Sequence, residues 1–250
     1  MNDSYGKLSS EFYDAEKGFA EELETDFFAS WIERAPGPAL EAMCGSGRLM
    51  LPLLRRGFRV DGVDDSGPML ENLRARIGEA GLAEPKIYRQ SIVDLDLPER
   101  YGLIFIALGS FQLLPKEVLD RVLVGLRRHL VPGGWLLLDT FLPWELIENR
   151  RELVMSVRSA SGPGGLIQLR SETTIVRGSQ YYVWKNTYRR GEEVEYETLR
   201  VNWYFPSDLA PRLEAAGFDA VVRPLPVASP QPRRYLYEAA ASTKIGSNTR

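Results

Sequence analysis

Residues 40–50 read Leu-Glu-Ala-Met-Cys-Gly-Ser-Gly-Arg-Leu-Met, a glycine turn wedged between an apolar strand and an apolar helix. Gly45 and Gly47 let the backbone turn tightly and leave bare main chain at the strand end, where a ligand can lie close. A second short strand, Phe58 to Val63, leads into Asp64, 64 − 47 = 17 residues beyond the second glycine. An acid at the tip of the second strand, about 20 residues past such a turn, is placed to grip the two hydroxyls of a nucleoside ribose. The chain is therefore expected to build a parallel sheet with a nucleoside-bearing ligand at its carboxyl edge.

A dinucleotide fits that turn poorly. Its fingerprint needs a third glycine three residues after the second, for close packing of helix on strand, and Met50 stands there. The strand also carries Glu41, an anion facing the turn, where a pyrophosphate would be repelled. An amino group and a positive sulfonium would be welcome in its place. S-adenosylmethionine answers that description.

The chain resembles the class I S-adenosylmethionine-dependent methyltransferases, from about Pro38 to Ala240. Leu40 to Arg48 looks like the first motif of that family, an acid followed by a glycine-rich turn. Val60 to Leu70 looks like the second, with Asp64 on the ribose, and Leu130 to Phe141 resembles the Pro-Gly-Gly entry to a late strand. The likeness is greatest to small-molecule enzymes that methylate antibiotic sugars and glycine nitrogen. It implies an α/β, doubly wound, mostly parallel seven-stranded sheet of Rossmann-like kind, carrying an inserted antiparallel β-sheet. It further implies that Tyr13, Glu41, Ala42, Gly45, Gly47, Asp64, Asp65, Met69, Ser91, Ile92 and Ala107 surround the cofactor. Two positions depart from the family. Ser91 stands where an acid often touches the adenine amino group, and Asp65 doubles the acid at 64.

Composition sets bounds on partners. A chain of 250 residues can bury one sizeable core with room for an insertion. A net charge of −3 suggests neither a nucleic acid nor an anionic membrane. The lone Cys44 cannot form an internal disulfide, and no apolar run approaches the roughly 20 residues that span a bilayer. Residues 1–30 are rich in Glu and Asp, unlike a signal peptide, so a cytoplasmic protein is expected.

Periodicity orders the rest. Residues 1–34 read as a helical lid, with Phe12, Phe19, Leu23, Phe27 and Phe28 as one apolar stripe. Strands near 38–43, 58–63, 85–89 and 101–107 alternate with helices, and residues 35–150 and 206–250 make up the cofactor-binding domain. Pro52 inside the first of those helices is expected to cost it a hydrogen bond. Ser66 should cap the next helix, and Ser207 a late one. Between them, residues 151–205 read as three or four antiparallel strands with turns at 177–180 and 189–192. Strand alternation puts Tyr182, Trp184, Asn186 and Tyr188 on one face. That insert either caps the acceptor or pairs two copies of the chain in a homodimer.

Methyl transfer from a sulfonium is a direct displacement, so the protein mainly aligns the reacting atoms. The only histidine, His129, sits at a helix end and reads as structural. Tyr13 is the candidate base, from its likeness to a Tyr-Asp pair that closes over the cofactor in related enzymes. Phe111, Gln112, Trp144, Trp184 and Tyr188 are expected to line the acceptor. The fourth strand ends Ile106-Ala107-Leu108-Gly109 without an oxygen ligand, so no metal is expected. The expected function is metal-independent transfer of a methyl group to nitrogen or oxygen of a small metabolite. The competing reading is a cofactor-binding regulatory or assembly protein that transfers nothing.

Overall fold

The computed structural model describes residues 5–148, 152–225 and 234–242. Its first elements are two helices, α1 (Lys7–Lys17) and α2 (Glu22–Arg34), with Gly18 in a left-handed conformation (φ +61°) ending the first. The single apolar stripe expected over this stretch does not form. Phe12 is buried against later strands and Phe28 against the parallel sheet, whereas Phe19 and Leu23 are exposed. The break at Gly18 lets the two helices serve different surfaces.

Five strands then alternate with helices: β1 (Ala39–Ala42), α3 (Met50–Arg55), β2 (Val60–Asp64), α4 (Gly67–Glu79), β3 (Ile87–Arg89), β4 (Tyr101–Ile106), α5 (Leu119–Arg128), β5 (Leu130–Phe141) and a short α6 (Trp144–Glu148). Four antiparallel strands follow, β6 (Leu153–Gly162), β7 (Gly165–Val176), β8 (Tyr181–Arg190) and β9 (Glu193–Asn202), and then α7 (Pro206–Ala215), β10 (Phe218–Pro224) and β11 (Arg234–Ala241). The large sheet has the order β10-β11-β5-β4-β1-β2-β3, with β1 to β5 parallel and β11 antiparallel to β5 and β10. Every residue of β1 and β4 is buried, as strands covered by helices on both faces must be. Leu40, Ile104 and Ile106 pack with Leu123 and Leu126 on one side. Ala39, Leu103 and Phe105 pack with Phe28, Leu49 and Leu70 on the other. Each such large side chain adds about 1.5–3 kcal/mol by leaving water. The chain reverses its direction of winding between β1 and β4, and that crevice is where ligands enter sheets of this kind.

Local chemistry explains the helix starts. Ser66 caps α4 as expected, its hydroxyl accepting the Met69 N–H at 3.3 Å. Ser207 does not cap α7. Pro206 takes the first helical position, and Asp208 accepts the Phe205 N–H at 3.0 Å instead. Pro52 does cost the helix a hydrogen bond: the Leu51 N–H reaches the Gly47 carbonyl at 3.0 Å and the Leu53 N–H the Leu49 carbonyl at 3.3 Å, but the proline between them has no N–H to give. The carbonyl it cannot reach, that of Arg48, accepts the Ala20 N–H at 2.9 Å.

The second sheet has the order β6-β7-β8-β9. Its later turns fall at Arg177–Gln180 and around Gly191, near the expected places; the first hairpin, at Gly162–Gly165, was not anticipated. Tyr182, Trp184, Asn186 and Tyr188 share the inward face, with Ile167, Leu169 and Val201 beside them. Helix α1 packs on that sheet and on α4, bridging insert and parallel sheet. The outward face leaves Val157 and Tyr196 largely in solvent, at 73 % and 75 % exposure.

Candidate active site

The loop leaving β1 is built from backbone turns. Met43 (φ +59°), Gly45 (φ +52°) and Gly47 (φ +82°) all adopt left-handed conformations. A Cβ on Gly47 would lie 2.4 Å from Leu73 Cδ1, so only glycine lets the turn pack this close to α4. The Gly45 N–H donates to Asp64 Oδ2 at 2.8 Å and the Ser66 N–H to Oδ1 at 2.9 Å. Asp64 therefore ties the turn to the start of α4. Burial lifts its carboxyl to about 6 even though those N–H groups favour the charged form. Cys44 is buried beneath the turn and its thiol is pushed up by that burial, which leaves it inert.

Glu41 is the most unusual group in the site. It is 4 % exposed, and its Oε2 has no hydrogen-bond partner among the described residues. Burial raises its carboxyl to about 8, opposed by the nearby Arg48 guanidinium and the Met50 N–H and assisted by the charges of Glu24 and Asp64. Tyr13 stands in the same field. Its phenol is pushed up to about 12, chiefly by burial, so near neutrality it is protonated and can donate a hydrogen bond.

Both N-terminal helices are fastened over this turn. Asp14 of α1 accepts from Ser46 Oγ, from Asn72 Nδ2 at 2.9 Å and from Arg76 Nη2 at 3.0 Å. Glu24 of α2 takes both arms of Arg48, at 2.9 and 2.6 Å. These ion pairs join residues far apart in sequence, and no local signal announces them.

The remaining cofactor-side residues fall around the same crevice. Ala42, Met69, Ile92 and Ala107 are buried, and Asp65 is exposed on the loop after β2. The Gln90 N–H donates to the Asp64 carbonyl at 3.0 Å, which brings Ser91 alongside. The Ser91 hydroxyl accepts the Val93 N–H at 3.3 Å, capping a single helical turn.

Two acceptor-side expectations are corrected. Leu108 (φ +57°) and Gly109 (φ +71°) turn the chain back after β4 and send residues 110–113 into the core. Phe111 is fully buried there against Tyr204. Gln112 is fully buried too, and its amide bonds main chain on three sides: Nε2 donates to the carbonyls of Phe141 and Asn202, and Oε1 accepts the Phe141 N–H. Neither side chain can line a pocket. Trp144 packs on Phe205, and Trp184 lies 5.1 Å from Tyr182, both in the cluster beneath the insert. Tyr188 is covered edge-on by Phe12 at 5.6 Å and donates to Glu197 Oε2 at 3.0 Å. His129 is structural: its Nε2 accepts the Leu97 N–H at 2.9 Å while Nδ1 lies 2.8 Å from the Gly125 carbonyl, so the proton sits on Nδ1. Glu24 and Arg48 stand beside the glycine turn as an ion pair and were not anticipated from the sequence.

Among the described residues no three His, Cys, Asp or Glu side chains converge as metal ligands, and no helix is long and apolar enough to cross a membrane. Residues 39–134 match the family model described as a methyltransferase domain. No curated protein matches by sequence. Among solved structures, the chain is similar to an S-adenosylmethionine-dependent methyltransferase from Clostridium acetobutylicum ATCC 824, with 18% identity, a TM-score of 0.73, and coverage of 92% of this chain and 96% of that one. It is also similar to CalS10 from Micromonospora echinaspora, an amino pentose methyltransferase with S-adenosylmethionine bound, at 15% identity and a TM-score of 0.65, covering 90% and 93%. A third likeness is to the sugar N-methyltransferase KedS8 from Streptoalloteichus sp ATCC 53650, at 20% identity and a TM-score of 0.68, covering 88% and 87%.

Proposed function

We propose that the protein, whose residues 39–134 match a methyltransferase domain, is a class I S-adenosylmethionine-dependent enzyme that methylates a nitrogen of a small-molecule acceptor. The observation that carries the reading is the buried, unpartnered Oε2 of Glu41 beside the glycine turn. A lone carboxylate oxygen out of water needs a donor or a cation, and the amino group of S-adenosylmethionine supplies both. In this reading Asp64 receives the ribose hydroxyls, Met69 and Ile92 flank the adenine, and Tyr13 donates from above. When bound, S-adenosylmethionine supplies a methyl group activated by its positive sulfur.

The protein's own contribution is alignment and exclusion of water. Residues 5–34 act as the lid, clipped down by Asp14 and Glu24. The insert, with its aromatic inward face, caps the acceptor. A nitrogen acceptor is favoured over a hydroxyl because the phenol of Tyr13 stays protonated near neutral pH. A neutral amine carries its own lone pair and needs no strong base.

Titration calorimetry over pH tests the role of Glu41. A cationic ligand favours ionised carboxylates, so affinity should rise with pH as Asp64 ionises near 6 and Glu41 near 8, and fall away as pH drops through the same window. Glu41→Gln should lose the upper limb and keep the lower. Comparing the two proteins cancels the titration of the ligand's own amine. Superimposable profiles would overturn the assignment of Glu41.

Turnover should also survive chelation. Activity on any accepted substrate is expected to be unchanged by EDTA, and a loss restored by added magnesium would refute the metal-independent reading.

A further inference from the structure

A second buried carboxylate oxygen has no hydrogen-bond partner among the described residues: Oε1 of Glu197. Glu197 lies on β9 on the inward face of the insert and is 7 % exposed. Its other oxygen is held firmly, accepting from Asn186 Nδ2 at 2.9 Å and from the Tyr188 hydroxyl at 3.0 Å. Asn186 is fixed in turn, since Ser171 Oγ donates to its Oδ1 at 2.7 Å. One oxygen is thus spent on orienting the group and the other is left over.

Glu195, two residues earlier on the same face, shows what a purely structural carboxylate does here. It spends both oxygens on the first turn of α1, accepting the Leu8 N–H at 2.8 Å and the Ser9 N–H at 3.0 Å. Glu197 has no such use. Its described hydrogen-bond partners are neutral, so nothing they offer balances its charge. A buried unbalanced carboxylate is costly, and burial accordingly pushes its carboxyl up to about 7.

The surroundings say which way the group faces. Tyr5 has its phenol raised first by burial, then by the charges of Glu197, Tyr13 and Asp64. Tyr5 packs edge-on against Tyr13 at 6.0 Å, and its carbonyl accepts from Ser66 Oγ at 3.1 Å. Tyr5 therefore stands between the insert's carboxylate and the residues assigned to the cofactor. Glu197 and the residues assigned to the cofactor thus lie on either side of Tyr5.

We propose that Glu197 Oε1 receives the amino group of the methyl acceptor, so that the insert selects amines over the corresponding alcohols. The inference rests on the methyltransferase reading of the glycine-turn site. An amine arrives protonated and brings both a hydrogen-bond donor and the missing positive charge; its proton passes to Glu197 Oε1, which frees the nitrogen lone pair to take the methyl group as the sulfur–methyl bond breaks, whereas an alcohol brings one neutral donor. The two orphan oxygens then divide the work, with Glu41 holding the nitrogen of the donor molecule and Glu197 that of the acceptor.

The test uses the full chain with labelled S-adenosylmethionine and a panel of nucleoside-diphosphate amino sugars and arylalkylamines, each beside its hydroxyl counterpart. The wild type is expected to methylate amines and not their hydroxyl counterparts. Glu197→Gln should raise KM for the accepted amine by about tenfold or more, the value of a hydrogen bond to a charged group, while affinity for S-adenosylmethionine stays at wild type. Glu197→Asp, which keeps the charge but withdraws it by one methylene, should raise KM as well, and serves if the glutamine variant does not fold. A readout without acceptor is stability against pH. An acid whose folded pKa is raised loses stability for the protein as pH climbs from about 5 to about 7, so Glu197→Gln should lose less over that range than the wild type. The titratable groups facing Glu197 are Tyr5, Tyr188 and Glu195, and both phenols are raised and keep their protons over that range. Wild-type KM in both variants, or equal use of amine and hydroxyl, would overturn the proposal and leave the methyltransferase reading standing. A wild-type chain that does not bind S-adenosylmethionine would overturn both.

Discussion

Asp64→Ala is expected to weaken S-adenosylmethionine binding by about ten- to a hundredfold, the range for losing hydrogen bonds to a charged group. Two losses combine. The ribose hydroxyls lose their acceptor, and the N–H groups of Gly45 and Ser66 lose the carboxylate that holds turn and helix together. Asp64→Asn should recover part of the affinity, because its amide oxygen can still accept one of those N–H groups. Calorimetry is the measure, and an unchanged dissociation constant in the alanine variant would remove Asp64 from the site.

Gln112→Ala should show the largest loss of stability among the residues discussed. Its amide bonds the Phe141 carbonyl at 3.0 Å, the Asn202 carbonyl at 2.7 Å and the Phe141 N–H at 2.7 Å. Truncation leaves three buried main-chain groups without partners and opens a small cavity. Unpaired buried groups cost about 1–3 kcal/mol each, so three come to about 3–9 kcal/mol, and local relaxation puts the expected loss in the lower part of that range, about 3–5 kcal/mol. For a chain of this size that lowers Tm by roughly 10 °C. Phe141 at the end of β5 and Asn202 at the end of β9 both bond this one amide, so the insert should lose its seat first. Thermal melts followed by tryptophan fluorescence, with Trp184 and Trp203 in the insert region, would report it. A Tm within about 2 °C of wild type would mean the amide is not the staple its geometry describes.

The nucleoside half of the molecule was legible because its signals are local. A glycine turn, an acid at a strand tip and a serine cap each act within a few residues, and the strand–helix alternation pointed to a parallel sheet covered by helices. The alternation along Tyr181–Tyr188 likewise put the aromatic face inward. What stayed hidden depends on backbone states that side chains do not advertise. Met43 and Leu108 sit in left-handed conformations that methionine and leucine ordinarily avoid, and Leu108 is the reason Phe111 and Gln112 turn into the core. Glu24–Arg48 and Asp14–Arg76 join elements that meet only after folding. Glu197 sits in an acidic run that reads as a solvated surface, and only the fold of α1 over β8 and β9 buries it.

The bond between Ala20 and the Arg48 carbonyl has a consequence for turnover. That carbonyl is open to the N-terminal segment because Pro52, four residues on, has no N–H to compete for it. The segment between α1 and α2 is therefore fastened to the glycine turn at a carbonyl that α3 leaves free. A cofactor exchanged once per cycle must pass that latch twice, and opening of such covers limits many enzymes. Restoring an N–H at position 52 would let α3 reclaim the carbonyl for itself. That one proline thus decides which partner the Arg48 carbonyl takes.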